Sequence, residues 1–412
     1  MHAALERHPA DARFGKPELR VLSGHDDVAP ERELEPAAEC HAVDGRDDRL
    51  GHAVAKRQRA EAARMPVRDV RGAKPRLALV PRRRLTSDRA GRSAEGAAYK
   101  PASLMSYHAA MRIPSVTFAG LPISERPGPS QIAVLGIEHA TPYETGKPSH
   151  SAGAPAALRA ALTTYNRLAD HYDFDIGGLR PDNAVDCGDL PGDPGDPQGN
   201  REAITAAVRA LLDVDAIPVV LGGDDSVPIP MFRAFEGRGP LTVVQIDAHL
   251  DWRDEVRGEK YGYSSTMRRA SEMPWIRRMV QVGLRGIGSA RAAEVADARS
   301  WGSRLVPAAD VHRHGIARVL ELVDADTNCL VTLDCDGMDP SILSAVLAPA
   351  PGGLLYWHVL ELLHGLAAKC RIVGFDLVEF MPSRDTTGLA ALTAARLVCN
   401  AIAAIATSRR RR

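Results

Sequence analysis

Short, continuous apolar runs recur through the C-terminal three-quarters of the chain and alternate with stretches of helical spacing. The runs are rich in Val, Ile and Leu without polar alternation, which is typical of strands buried on both faces of a parallel sheet. Apolar positions three and four residues apart predict helices over 201–215, 316–326 and 356–369. The predicted strands occupy 131–137, 183–190, 217–223, 241–249, 278–286, 329–337 and 371–380.

This alternation predicts an α/β fold in which helices cover both faces of a parallel sheet. About seven or eight strands fit into the roughly 290 residues that carry the pattern, which indicates one domain rather than two. We therefore place a single ordered domain at 111–408.

Residues 1–110 show neither the strand nor the helix period, and they are rich in Arg, Ala, Asp, Glu and His. Such a composition buries too little apolar surface to offset the entropy of ordering. Two interpretations stay open: a low-order extension, or a segment outside the natural protein because the start was assigned too early. Met105 and Met111 are alternative starts. A basic nucleic-acid arm is disfavoured because acidic residues are interspersed.

Composition excludes several classes of partner. The 52 basic and 52 acidic residues give a formal charge of zero, so we expect neither nucleic acid nor a membrane surface as partner. The six cysteines show no C-x-x-C spacing and indicate reduced thiols. No apolar run approaches the roughly 18–20 residues of a membrane span, and the charged N-terminus lacks an export signal. We expect a cytoplasmic protein.

Acidic residues cluster where three of the predicted strands end. In an open α/β sheet the carboxyl ends of the strands meet at one edge, where ligands bind. Residues two apart on an extended chain point to the same side, so Asp247 and His249 should project together, with Asp251 next if extension continues. Asp334 and Asp336 form a second such pair. The full set is Asp224, Asp225, Asp247, His249, Asp251, Asp334, Asp336 and Asp339.

Buried carboxylates at such spacing repel one another and lose hydration, which raises their pKa values and destabilises the fold. One interpretation is structural, since Asp224 and Asp339 are suited to capping or opening turns. Capping does not account for every acid, so the pattern predicts two divalent ions about 3.5–4 Å apart, bridged by carboxylates. Oxygen-rich ligation with one His favours Mn²⁺ over Zn²⁺.

Three segments, GGDDS (222–226), DAHLD (247–251) and TLDCDGMDP (332–340), resemble the signature segments of the ureohydrolase family of arginases and agmatinases. The opening loop and helix at 136–162 and the segment DLVEFMP (376–382) extend the resemblance over about 115–405. It implies a three-layer domain with an eight-stranded parallel sheet and a centre of two Mn²⁺ ions. It also implies hydrolysis of a guanidino group to an amine and urea, and a homo-oligomer, either a trimer or a hexamer.

The resemblance further implies a role for each matching residue. Asp247 and Asp334 match the bridging ligands, whereas His249 and Asp336 match ligands of one metal. Asp251 matches a ligand of the other metal that also orients the nucleophile. The implied ligand set is Asp225, Asp247, His249, Asp251, Asp334 and Asp336.

Glu379 matches the acid that faces the substrate guanidinium, which a carboxylate holds by charge-assisted hydrogen bonds. We therefore predict Asp251 and Glu379 as catalytic residues, and Glu379, Tyr263 and Ser264 as substrate-binding residues. The alternative for Glu379 is a surface glutamate after a strand.

Two positions depart from the family pattern. Asp225 stands where the family carries a ligating His; an aspartate still ligates, but it makes the site more anionic. The loop after DAHLD has no His from 250 to 276, where many relatives carry one that shuttles protons. Water or a side chain of this loop is left to take that role, the candidates being Tyr261, Tyr263, Ser264 and Ser265.

The charged residues of this loop are compatible with more than one class of substrate. Asp254, Glu255 and Glu259 would attract the distal ammonium of an agmatine-like substrate, which the overall resemblance favours. A guanidino acid is the alternative, because arginines clamp carboxylates. A non-catalytic relative that binds ligand or metal is a third possibility. The arginines concerned are Arg253, Arg257, Arg268 and Arg269.

Overall fold

Eight parallel strands form the centre of the described part of the chain. The computed structural model describes residues 111–164, 172–177 and 182–409. The strands form one sheet in the order β2-β1-β3-β8-β7-β4-β5-β6, and every paired neighbour is parallel. The α/β class with an eight-stranded parallel sheet is confirmed, whereas the interpretation of 1–110 concerns residues outside the described part.

Seven of the strands lie where the sequence pattern places them. The eighth strand, Arg304–Pro307, was not predicted. It lies at the sheet edge and is four residues long, and only two of its residues besides the terminal proline are apolar. The strands are β1 Ile132–Ile137, β2 Ala184–Leu190, β3 Ile217–Leu221, β4 Leu241–Ile246, β5 Ile276–Leu284, β6 Arg304–Pro307, β7 Asn328–Asp334 and β8 Arg371–Val378.

The continuous apolar runs reflect burial of both sheet faces. Every residue of β1, β3 and β4 is buried. Adjacent residues of a strand point to opposite faces, so Val219 and Val244 pack in one apolar layer while Val220 and Val243 pack in the other. Alternation is therefore invisible in the sequence, because both sides of the sheet face helices.

Helices cover these two layers. Helix α2 begins after Asp196, whose side chain accepts a hydrogen bond from Gly199 N as an N-cap. The helices are α1 Ala154–Ala161, α2 Pro197–Asp213, α3 Pro228–Ala234, α4 Thr266–Ser271, α5 Ala292–Trp301, α6 Ala308–His314, α7 Ile316–Leu320, α8 Tyr356–Lys369 and α9 Leu389–Arg409.

Several helices differ from the sequence prediction, and the short helices α3, α4, α5 and α6 lie in segments for which no helix was predicted. The helix expected over 316–326 is wrong in length, since α7 ends at Leu320 and turns follow it. The long helix α9 was not predicted. The expectation that no apolar run approaches the length of a membrane span is wrong for this helix. Its segment Leu389–Ser408 is long and apolar enough to cross a membrane, with a mean hydropathy of 1.8, but 67% of it is buried. Because α9 packs on α8, α1 and β8, its apolar character is that of a core helix.

Candidate metal centre

The four strands that acidic residues follow lie side by side in the middle of the sheet, in the order β3, β8, β7 and β4. Because the strands are parallel, the loops after them converge at one edge. Close packing brings two of these loops together: a Cβ on Gly337 would lie 2.8 Å from Asp247 N. Only a glycine there lets the turn that carries Asp336 lie against the end of β4.

Two groups of three side chains lie close enough to hold one metal ion each. Within each group, the candidate ligand atoms lie within 4.8 Å of one another. In the first group, His249 Nδ1 lies 2.9 Å from Asp336 Oδ2. Asp247 belongs to both groups, which is the arrangement that a pair of neighbouring ions requires. The groups are Asp247, His249 and Asp336, and Asp225, Asp247 and Asp251.

Asp334 lies beside the two groups but belongs to neither. Its Oδ1 accepts a hydrogen bond from Asp336 N at 2.7 Å. Burial raises the pKa of Asp334 well above its ordinary value, and the charges of Asp336 and Asp247 raise it further. The bridging role implied for Asp334 stays a prediction.

The electrostatics of the site fit a bound cation. Burial raises the pKa values of Asp225, Asp247 and Asp251 well above the ordinary range, and neighbouring carboxylates raise them further. Asp225 Oδ2 is buried and has no hydrogen-bond partner among the described residues. A divalent ion would neutralise the carboxylates and give this oxygen a partner. The donor set of oxygens with one imidazole suits Mn²⁺.

His249 responds to the same surroundings. Burial lowers its pKa, but the hydrogen bond to Asp336 and the nearby carboxylates outweigh this effect and raise the pKa of His249 to about 9. An imidazole must be neutral to ligate a metal. Metal binding at this group would therefore release a proton near neutral pH.

The extended backbone of strand β4 does not continue through residues 247–251, so the extension considered for Asp251 is wrong. Strand β4 ends at Ile246, and Asp251 has a left-handed backbone with φ 48°. The chain thus folds back, and Gln245 Nε2 donates to Asp247 Oδ2 at 2.6 Å and to Asp251 Oδ2 at 2.8 Å. The two aspartates meet through this turn rather than through strand alternation.

Glu379 lies within the same edge rather than on the surface. It is 5% exposed and also has a left-handed backbone, with φ 63°. Its Oε1 accepts a hydrogen bond from Asp225 N at 2.9 Å, and its Oε2 lies 2.5 Å from His150 Nε2. Burial raises the pKa of Glu379, although the hydrogen bond and charge of His150 oppose the rise. Glu379 is thus a buried acid adjoining the metal groups.

A polar cavity of about 630 Å³ is lined in part by Tyr263, whose ring contacts His150, the partner of Glu379. The ring of Tyr263 packs edge-on against His150, with centroids 5.4 Å apart, and lies 4.4 Å from the ring of Tyr143. Ser264 N donates to Tyr143 Oη at 2.9 Å. The cavity lining is Tyr143, Glu144, Arg253, Glu255, Val256, Arg257, Tyr263, Ser264 and Arg291.

Two of the strand-end acids have structural roles. Asp224 Oδ1 accepts hydrogen bonds from the backbone N and the hydroxyl of Ser226. Asp339 accepts a hydrogen bond from the hydroxyl of Ser341 and further hydrogen bonds from the backbone N–H groups of Ser341, Gly352 and Gly353. Together these bonds lower the pKa of Asp339 to about 2. The capping interpretation therefore describes Asp224 and Asp339, and the remaining acids form the site.

Sequence reasoning missed His150 and Gln245. His150 comes from the loop before α1, 229 positions from its partner Glu379, and no spacing pattern links the two. Gln245 is one of two polar residues in the otherwise apolar strand β4, the other being Thr242, and it lies two positions before Asp247, a local signal that could have been noticed. Both residues contact the acids that the sequence did single out.

The fold and the site together define a parallel α/β protein with a candidate two-metal centre at the carboxyl edge of its sheet. Residues 130–404 match the model of the arginase family. N(1)-aminopropylagmatine ureohydrolase of Thermococcus kodakarensis is 31% identical over 288 residues, which are 68% of this chain and 92% of that protein. The chain belongs to the arginase family.

Other relatives agree with this assignment. Arginase 1, mitochondrial, of Arabidopsis thaliana is 33% identical over 233 residues, and this match covers 54% of the chain and 64% of that protein's length. The solved structure of proclavaminate amidinohydrolase from Streptomyces clavuligerus superposes with a TM-score of 0.63 at 28% identity. It covers 73% of this chain and 99% of that one.

Proposed function

We propose that this protein hydrolyses a guanidino group to urea and an amine, using two Mn²⁺ ions per subunit. The observation that carries the proposal is the pair of ligand groups that share Asp247, with the buried acid Glu379 beside them. Relatives named as an N(1)-aminopropylagmatine ureohydrolase and a proclavaminate amidinohydrolase support the same chemistry. Two ions in these groups would lower the pKa of a water molecule and so supply a nucleophile near neutral pH.

The residues of the chain supply binding and orientation. Glu379 would accept hydrogen bonds from the planar guanidinium, a charge-assisted contact that fixes its plane. The water oxygen bonds to the guanidino carbon, the bond from that carbon to the substituted nitrogen breaks, and both water protons end on the departing amine. Asp251 would orient the water, and this role is supported by the hydrogen bond from Gln245 to its carboxylate and by the left-handed backbone of Asp251.

The cavity favours a substrate with a cationic distal end, as in agmatine. Its arginines are paired: Arg253 and Arg291 lie 3.3 and 2.9 Å from Glu294, and Arg257 lies 3.7 Å from Glu144. Glu255 lines the cavity without an ion pair to any described residue. An ammonium group would find this carboxylate available.

A guanidino acid is the second candidate substrate, and the arginines that line the same cavity support it. Three arginines line it, namely Arg253, Arg257 and Arg291. A substrate carboxylate would compete with Glu144 for Arg257, which is 73% exposed along its side chain. The distal charge of the substrate thus decides between the two candidates.

Urea release is the direct test. The protein is loaded with Mn²⁺ and assayed against agmatine, a set of guanidino acids, and arginine. Urea from agmatine supports the proposal as stated, and urea from a guanidino acid alone replaces the substrate class. Absence of urea from every compound, with fewer than one metal ion per subunit, would indicate a non-catalytic binding protein.

We further propose a cytoplasmic homo-oligomer. Cys187, Cys329, Cys335 and Cys370 are free thiols, which agrees with a reducing compartment. Light scattering of the purified protein tests the oligomer, with a single-subunit mass as the contrary result.

A further inference from the structure

A row of polar side chains crosses the sheet beneath the candidate metal centre. Gln245 on β4 is in register with Gln281 on β5 and with Thr332 on β7, and Thr332 is in register with Asp376 on β8. All four are at most 1% exposed, and they lie on the sheet face that carries Val243 and Met279. Polar groups in such a layer cost free energy unless each finds a partner.

The two glutamines are fully partnered and form one directed chain. Ser303 Oγ donates to Gln281 Oε1 at 2.7 Å, and Gln281 Nε2 donates to Gln245 Oε1 at 2.7 Å and to Leu250 O at 2.9 Å. Gln245 Nε2 then uses its two hydrogens on the carboxylates of Asp247 and Asp251. From Ser303 through Gln281 and Gln245, the donors of the chain therefore run toward the acids, while the second hydrogen of Gln281 Nε2 goes to Leu250 O.

This direction is fixed by the partners. If the Gln245 amide were reversed, its oxygen would face two carboxylates and its nitrogen would face the Gln281 nitrogen. Both contacts are repulsive and would leave buried groups unsatisfied. Gln281 cannot reverse either, because Leu250 O only accepts and therefore requires the Gln281 nitrogen, whereas the Ser303 hydroxyl can donate or accept. The chain therefore presents one fixed NH₂ group to the metal edge.

That NH₂ group joins two residues of a single ligand group. Asp251 belongs only to the group with Asp225, and its left-handed backbone is strained for a residue with a side chain. The hydrogen bond from Gln245 holds the carboxylate of Asp251 beside the carboxylate of Asp247. The other group shares Asp247, but Gln245 donates to neither His249 nor Asp336, so it contacts one member of that group and two members of the first.

We propose that Gln245, oriented by Gln281 and Ser303, is a positioning residue that sets the affinity of one metal position. That position is the one formed by Asp225, Asp247 and Asp251. The inference rests on the proposed function, since it assumes that the two groups bind metal. It goes beyond that function because it makes the two positions unequal and assigns the difference to residues that do not ligate.

The test is a titration of metal-free protein with Mn²⁺, followed by calorimetry and elemental analysis. Gln245→Leu removes the donors at similar volume, and Ser303→Ala removes the distal end of the chain. Partners that orient metal ligands commonly change affinity by about 10- to 100-fold. We expect such a loss at the position of Asp225, Asp247 and Asp251 in Gln245→Leu, and a smaller loss at the same position in Ser303→Ala. The second position, which shares only Asp247 with the contacts of Gln245, should change less than the first in both variants.

Thr332→Val is the matched control. It removes a buried hydrogen bond, that of Thr332 Oγ1 to Asp376 Oδ1 at 2.7 Å, in the same row and next to Gln245. It contacts no residue of either metal group. Thr332→Val should bind both ions with the same affinity as the protein without the substitution. A loss equal to that of Gln245→Leu would mean that the row acts only through fold stability, and it would overturn the inference.

Two ions bound to Gln245→Leu with unchanged affinity would also overturn it. If Gln245→Leu does not fold, Ser303→Ala decides by the same criterion. Failure of the proposed function is recognised separately: unchanged protein that binds two ions but releases no urea removes the catalytic proposal and leaves this one standing. Unchanged protein that binds no metal overturns both.

Discussion

His150 Nε2 lies 2.5 Å from Glu379 Oε2, so a loop before the first described α-helix holds the acid that follows the last strand. Burial lowers the pKa of His150, but the hydrogen bond and charge of Glu379 outweigh it and raise the pKa above the ordinary value. The pair therefore favours an imidazolium beside a carboxylate. The hydrogen bond and charge of His150 in turn oppose the rise that burial causes in the pKa of Glu379.

Replacing His150 should therefore weaken substrate binding. We expect His150→Ala to lower kcat/KM for urea release about 10- to 100-fold, since a hydrogen bond to a charged group contributes about 1.5–3 kcal/mol. The loss should appear mainly as a higher KM. Steady-state kinetics measure it, with His314→Ala as control because His314 is exposed at the end of α6. An unchanged KM in His150→Ala would contradict the role of the pair.

The shared position of Asp247 gives a prediction of metal content. Asp247→Ala should lose both ions, because both ligand groups include it, whereas Asp336→Ala should retain the ion of the Asp225 group. Elemental analysis after dialysis measures the ratio of metal to protein. Two ions retained in Asp247→Ala would refute the shared ligand.

Asp334→Ala distinguishes a bridging ligand from a neighbour. A bridging role requires the loss of both ions, as in Asp247→Ala. A residue that only accepts the backbone hydrogen bond of Asp336 would cause at most a partial loss at one position. Asp213→Ala is a suitable control, since this exposed acid pairs with Arg238 away from the edge.

Asp225→His should keep both metal ions. The imidazole offers one ligand nitrogen in place of a carboxylate oxygen, and it lowers the negative charge of the site by one. We expect a metal-to-protein ratio near two. Complete loss of metal from this variant would contradict the placement of Asp225 among the ligands.

The buried acids predict how stability depends on pH when metal is removed. Burial raises the pKa of Asp376 to about 8, against the ordinary 3.8. A carboxyl group with a raised folded-state pKa contributes stability that is present below its unfolded pKa and is lost as pH rises through the folded value. The raised pKa values of Asp225, Asp247 and Asp251 act in the same direction.

Metal-free protein should therefore melt at a lower temperature at pH 8 than at pH 5, and Mn²⁺ should reverse the fall at pH 8. Asp376→Asn keeps the shape and an acceptor for Thr332. It should reduce the pH dependence by up to about 1.4 kcal/mol per pH unit within this window. Thermal unfolding at both pH values measures this, and an equal slope in Asp376→Asn would show that Asp376 does not titrate there.

Much of the fold could be predicted from the sequence. The run IPVVL became β3 and the run CLVTLD became most of β7, because a parallel sheet covered on both faces demands continuous apolar strands. Strand β6 and helix α9 could not be found in the same way. The first is a short edge strand, and the second is apolar on most sides because neighbours bury 67% of its length.

By itself, the sequence determined which acids follow which strands, and the spacing that suits them to metal. It could not determine that Asp251 turns back in a left-handed conformation, that Gln245 joins Asp247 to Asp251, or that His150 reaches Glu379. The tertiary structure decided these because they are contacts between separate elements or through turns. Such contacts depend on how the chain packs, whereas strand and helix periodicity is written in the order of the residues.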